Sequence, residues 1–201
     1  MSAQAERLMP RRSKISLPDD ISQRVTVPSN DKVLVPIPLD RLRRLHRHLV
    51  SALLASQAIP DQRDSPPSSK PEPVGFAARV AGAACALCKG SCCGGGDDDA
   101  FLSETTMTRV RQAKPELELV EVANLYVQRV PDIGYEGSCI FHGERGCTLD
   151  RSLRSDVCND FFCGPLGAYL KTGTATPVTI LAGEGDAIRR SPVLRPGELA
   201  P

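Results

Sequence analysis

The chain has no tryptophan, and Phe, Tyr and Trp together make up only 4% of its 201 residues, so large side chains with which to fill a core are scarce. It also has little net charge, +1 from 25 Lys and Arg against 24 Asp and Glu, which argues against a protein steered as a whole toward nucleic acid. No apolar run approaches the roughly 18 residues of a membrane span. The opening M-S-A-Q-A-E-R-L-M-P-R-R has no continuous apolar stretch of the kind a secretory signal needs. A cytoplasmic location is the expectation. What the chain does have is 17 prolines, 16 glycines and 8 cysteines. Thiols stay reduced in the cytoplasm, so clustered cysteines there point to metal ligands or redox groups before structural disulfides.

Composition divides the chain. Residues 1–37 mix proline, serine and charge without sustained periodicity and are expected to form a mobile arm, with a short extended piece at 32–37. Residues 38–59 place Leu42, Leu45, Leu49 and Leu53 near one face of a basic amphipathic helix, with Asp40 positioned to cap it. The leucine stripe from Leu39 to Gln57 suits packing against the domain or a protein partner better than nucleic acid. Residues 60–73, rich in Pro, Ser and charge, read as a disordered linker. The cysteine-bearing domain is expected at 74–175, and a terminal strand with a tail at 176–201. Within the domain, Ser103 predicts a helix to about Lys114, a second helix runs from Glu116 to Val130, and Cys139 to Leu149 resembles a hairpin turning at Gly143 and Gly146. Asp150 is placed to cap a further short helix. The fold class that follows is α+β: a small, mainly helical domain organised around a cysteine-ligated metal centre, with a flexible N-terminal arm and a C-terminal tail.

The chemistry lies in two cysteine groups. The first is C-A-L-C-K-G-S-C-C, Cys85, Cys88, Cys92 and Cys93. At 3.6 residues per turn, a helix would bring Cys85, Cys88 and Cys92 within about 60° of one another. The second group is Cys139, Cys147, Cys158 and Cys163. Zinc sites and four-iron clusters both take about four sulfurs from segments that can be brought together, and a hairpin with a helix start supplies such supports. Lys89, Arg145, Arg151 and Arg154 are the nearby cations that would offset thiolate charge. His142, in the turn between two candidate ligands, is expected to face water, although in that place it could complete a Cys3His site. Asp97, Asp98 and Asp99 follow three glycines and read as a solvated acidic loop.

These residues resemble the CxxCxxCC cysteine-cluster proteins, the YkgJ type, regarded as zinc- or iron-chelating domains. In that family a cysteine cluster is followed by a spacer, a cysteine, a turn, a second cysteine and an R-P-x-x-C element. Here C-I-F-H-G-E-R-G-C-T-L-D carries Cys139 and Cys147, and R-S-D-V-C, Arg154 to Cys158, corresponds to the last element. The resemblance spans about residues 85–163. The first cluster is one residue longer than the family pattern, Ser155 stands where proline is usual, and Cys163 is additional. The resemblance implies metal chelation with Cys85, Cys88, Cys92, Cys93, Cys139, Cys147 and Cys158 as the ligand pool and Cys163 outside the family pattern.

Two main functional readings follow, beside a third, a metal-dependent interaction protein that uses the basic helix. One is a metal-binding module whose centre is structural or transfers electrons; the other is a redox or group-transfer enzyme, methylase-like, that depends on the cluster. The chain has none of the glycine-rich cofactor signatures that would favour an enzyme, and the sequence leaves catalytic residues unassigned. Only one C-x-x-C pair is present where common tetrathiolate zinc sites use two, so a 4Fe-4S cluster is slightly favoured over zinc.

Overall fold

The computed structural model describes residues 23–59, 73–172, 176–183 and 188–198. Among these, the chain builds six α-helices and three small sheets, an α+β domain. The linker expected at 60–73 and the first 22 residues of the expected arm lie almost wholly outside the described residues.

Residues expected as an unstructured arm carry two strands instead. β1 (Gln23–Val27) alternates outward and inward residues and buries Val25 and Val27. β2 (Leu34–Pro36) follows, close to the extended piece expected at 32–37. Proline at its end is tolerated because the sheet it joins has only two strands, so both are edges.

α1 (Leu39–Ser56) has the predicted stripe, but its leucines are used inside the domain. Leu45, Leu49 and Leu53 are at most 2% exposed, and the helix packs on α3 (Glu104–Ala113) and α4 (Leu119–Val127). The N-cap is Pro38 with no side-chain cap, so Asp40 does not cap α1; it pairs with Arg44 one turn on, at 2.6 Å. Ser103 does cap α3, accepting from the Thr106 amide at 3.4 Å. α4 starts later than expected, at a capping box formed by Glu118 and Glu121. Around these helices lies one hydrophobic cluster with Met107, Val110, Val122, Tyr126, Ile140, Phe141 and Leu153. Tyr126 meets Phe141 edge-on at 6.3 Å and donates its hydroxyl proton to the Leu153 carbonyl at 2.9 Å, so its buried polar end is satisfied.

A second cluster joins α2 (Gly75–Cys88), α6 (Gly164–Thr172) and a three-stranded sheet. In that sheet β6 (Val178–Ala182) is central: it runs parallel to β1, with Val25 opposite Ile180, and antiparallel to β7 (Arg189–Arg190). The expected tail is therefore docked: Leu194 exchanges backbone hydrogen bonds with Val178, and Arg79 of α2 donates to the Arg195 carbonyl. The remaining strands are β3 (Ile133–Tyr135), antiparallel to β2, and the hairpin of β4 (His142–Gly143) and β5 (Gly146–Cys147). After it, Asp150 precedes a short 3-10 turn without capping it by its side chain, and Ser155 caps α5 (Asp156–Asp160) through the Cys158 amide at 3.2 Å.

Candidate metal centre

The helix that carries the first cysteines stops at Cys88, so the even spread of three thiols over one helix face does not form. Lys89 (φ 51°) and Gly90 (φ 74°) turn left-handed and end α2. The carbonyls freed at this end are taken by distant segments: Asn30 donates to Lys89 O at 2.8 Å, and Arg189 donates to Leu87 O at 2.9 Å. The chain then doubles back. Ser91 N donates to Cys88 Sγ at 3.2 Å, and Cys88 and Cys92 are in hydrogen-bond contact. Cys93 opens a 3-10 turn through Gly96. The turn brings Cys92 back to Cys88, while Cys88 itself packs in the cluster with β1 and β6 and stays off the cavity wall.

Two backbone bonds lock this turn onto the second cysteine group: Cys139 N to Cys93 O at 3.0 Å and Ile140 N to Asp97 O at 2.8 Å. Gly96 lies against Cys139, where an added Cβ would come within 3.1 Å of the Cys139 Cβ. The loop between them is held in costly backbone. Asp97, Ala100 and Phe101 all have positive φ, a conformation that costs residues with a Cβ about 1 kcal/mol or more each. Arginines supply the opposing force. Arg41 of α1 donates to Asp98 and to the Ser138 carbonyl at 2.8 Å, and Arg44 also reaches Asp98. Asp98, at 13% side-chain exposure, is a paired anchor of the loop instead of a solvated charge.

The result is a cavity of about 530 Å³. Cys85, Cys92, Cys93, Cys139, Cys147 and Cys158 border it, with Phe101, Phe161 and Phe162 among its apolar walls. Arg145, Arg151 and Arg154 border it as well. Of the eight candidate cysteines, Cys88 and Cys163 are not on this wall; Cys88 packs in the cluster with β1 and β6, and Cys163 lies against that cluster. All eight are free thiols. Among the described residues, no three or more His, Cys, Asp or Glu side chains converge as a ready-made site for a single ion.

Burial governs the thiols. It pushes Cys85 up to about 12, and the neighbouring Cys92 and Cys88 add to that while Arg154 opposes it. Cys139 also rises to about 12, chiefly through burial, with Cys147 and Cys158 beside it. Cys147 is raised by burial against the pull of Arg154. Cys92 is lowered by its hydrogen bond with Cys88, but Cys93 and burial carry it up to about 11. Cys88 is raised as well, first by its bond with Cys92. These neighbour relations tie the two sequence-distant groups together, with Arg154 shared between Cys85 and Cys147.

His142 departs most from expectation. It is 1% exposed, not solvent-facing, and it borders the cavity. Its Nδ1 is 3.1 Å from Ser138 Oγ, its ring lies 4.9 Å from the Tyr135 ring at 33°, and its Nε2 is buried with no hydrogen-bond partner among the described residues. Burial, with Lys32 nearby, lowers its pKa to about 4, so the ring is neutral. The sequence signal for its importance was its position between Cys139 and Cys147; burial by Gly90 and Tyr135 had no local signature. Phe101, Phe161 and Phe162 were equally invisible as cavity walls.

No family model, curated protein or solved structure matches the chain.

Proposed function

We propose that this protein binds a thiolate-ligated metal centre in the cavity bordered by the two cysteine groups, in a structural or electron-transfer role. The observation that carries this reading is the meeting of six thiols from four separate segments, the end of α2, the 92–93 turn, the 139–147 hairpin and α5, on one cavity. The donor chemistry fits: soft sulfur ligands, arginines that offset thiolate charge, and a neutral imidazole with an unsatisfied nitrogen. Cys85, Cys92, Cys93, Cys139, Cys147 and Cys158 are the residues that would hold the centre, with Cys88 and Cys163 adjoining. Zinc would supply a fixed cross-link between segments, and a 4Fe-4S cluster would supply one-electron redox capacity.

The likeness to CxxCxxCC, YkgJ-type proteins across residues 85–163 supports this reading, as does the spread of the thiols around a roomy cavity, which suits a multi-atom cluster better than a single ion. The reading places the protein in the cytoplasm, where the thiols stay reduced. A protein partner, if it uses α1, meets the outer face with Leu39, Val50 and Leu54, because the inner leucines are in the core. No helix among the described residues is long and apolar enough to cross a membrane.

Anaerobic purification followed by metal and acid-labile sulfide analysis tests the proposal. The expected result is about four iron and about four sulfide per chain with visible absorption that bleaches in dithionite. Zinc without sulfide selects the other ion and keeps the thiolate centre; absence of any stoichiometric metal refutes it. The cavity volume also falls in the roughly 300–1,000 Å³ range of small-molecule sites. That favours, as the second reading, a redox or group-transfer enzyme, and mass spectrometry of small molecules retained by the purified protein addresses it.

A further inference from the structure

A buried imidazole nitrogen without a partner is unfavourable unless something in its surroundings takes it up. His142 has such a nitrogen, and its surroundings are specific. The Nδ1 and Cε1 edge faces Ser138 and Gly90, so closely that a Cβ on Gly90 would lie 2.6 Å from Nδ1 and 2.7 Å from Cε1. One face is covered by Tyr135. Ser138 is itself 0% exposed, and its backbone carbonyl is fixed by Arg41. His142 borders the cavity, and its Nε2 is buried there with no hydrogen-bond partner among the described residues. Nδ1 bonded to an oxygen and Nε2 free is also the arrangement of a metal-bound histidine, in which the outer partner sets the tautomer and the ring direction.

We infer that His142 is a ligand of the centre through Nε2, giving it one nitrogen donor beside thiolates, with Ser138, Tyr135 and Gly90 as the residues that position the ring. This rests on the reading that the cavity holds a metal. It adds a different prediction: the centre is not all-sulfur. Water and a thiol proton are the other partners Nε2 could take. S–H is a weak donor, and a water in place of the metal would leave no nitrogen beside the sulfurs.

The test is made on the intact wild-type chain, so that folding of a variant does not decide it. If the purified protein holds zinc, X-ray absorption at the zinc edge is expected to show a nitrogen scatterer at about 2.0–2.1 Å beside sulfurs at about 2.3 Å. If it holds iron, pulsed electron paramagnetic resonance of the reduced centre, in protein labelled with ¹⁵N only at histidine, is expected to show a strongly coupled nitrogen whose isotope signature assigns it. His142→Ala is expected to lose the nitrogen signal, or most of the metal, and His142→Cys to recover metal with an all-sulfur shell. An all-sulfur shell in the wild type, or an unchanged spectrum and metal content in folded His142→Ala, overturns the ligand while the thiolate centre stands. A wild-type protein with no metal overturns both.

Discussion

Gly90→Ala is a direct test of how the first cysteine group is seated on His142. The residue has φ 74°, and forcing an alanine into left-handed backbone costs about 1–2 kcal/mol. The new methyl would also fall 2.6 Å from both His142 Nδ1 and Ser138 Oγ. Neither can swing away cheaply, since both residues are buried and the imidazole is stacked on Tyr135. Overpacking of this kind costs about 1–3 kcal/mol, and the reduced freedom of the unfolded chain returns under about 1 kcal/mol. The net expectation is a loss of about 2–4 kcal/mol, with metal content falling alongside. Gly137→Ala is the control, because Gly137 has φ 59° and nothing within 4 Å of its would-be Cβ, so it carries the backbone cost alone. Urea unfolding of both variants, analysed by linear extrapolation, separates the two effects. If the variants agree within about 0.5 kcal/mol, the close packing of Gly90 on His142 is refuted.

Three further outcomes follow from the same geometry. Leu49→Ala, in the fully buried stripe of α1, should cost about 2–5 kcal/mol in urea unfolding; a loss below about 1 kcal/mol would mean that α1 is not part of the core, and a fragment beginning at residue 74 should then remain soluble. Cys139→Ser and Cys92→Ser should lose most bound metal while Cys163→Ser, off the cavity wall, keeps it; equal losses in all three, measured by elemental analysis, would show that cavity lining does not select the ligands. In the reduced, metal-free chain, Cys85 and Cys139 move from an ordinary 9.0 to about 12, so the folded state retains protons that the unfolded state gives up. Their contribution is complete below the unfolded value and is lost as pH rises toward the folded one. The urea midpoint should therefore drop as pH rises from about 9 toward about 12, and less steeply in Cys139→Ala; a flat profile would contradict the burial of these thiols.

The helices from Ser103 and around Val122, the hairpin at Gly143 to Gly146 and the strand at 178–182 were legible because each has a local cause: a cap, an apolar period or a turn residue. The pairing of β1 with β6 was not. It joins residues some 155 positions apart, as the register Gln23 to Val178 shows, and five residues of Q-R-V-T-V between prolines and charges have no way of announcing a parallel partner. The cysteine groups were legible as chemistry, but their relation was not, since it depends on Cys139 N reaching Cys93 O and on a left-handed Lys89 that no propensity favours. His142 was misread for the same reason: exposure is a property of what packs on a turn, and Gly90 and Tyr135 come from elsewhere in the chain.

Arg41 ties α1 to the loop at the cavity wall. The leucine stripe of α1 packs into the domain, one of the two uses its pattern suggested, and from the same helix Arg41 binds Asp98 and the Ser138 carbonyl and comes near Asp97 at 3.6 Å. Asp97 and Asp98 open the strained loop that ends at Phe101 on the cavity wall, and Ser138 holds His142. Left-handed residues at Asp97, Ala100 and Phe101 persist only if surrounding contacts over-determine them, and a largely buried guanidinium bonded to the start of the loop and to Ser138 contributes to that. α1 is thus a brace for the loop at the cavity wall as well as a layer of the core. A chain poor in aromatics can keep a roomy, cysteine-lined cavity open in this way: apolar packing stabilises each side of it, and a few charged hydrogen bonds, each worth about 1.5–3 kcal/mol, fix the loop that separates them.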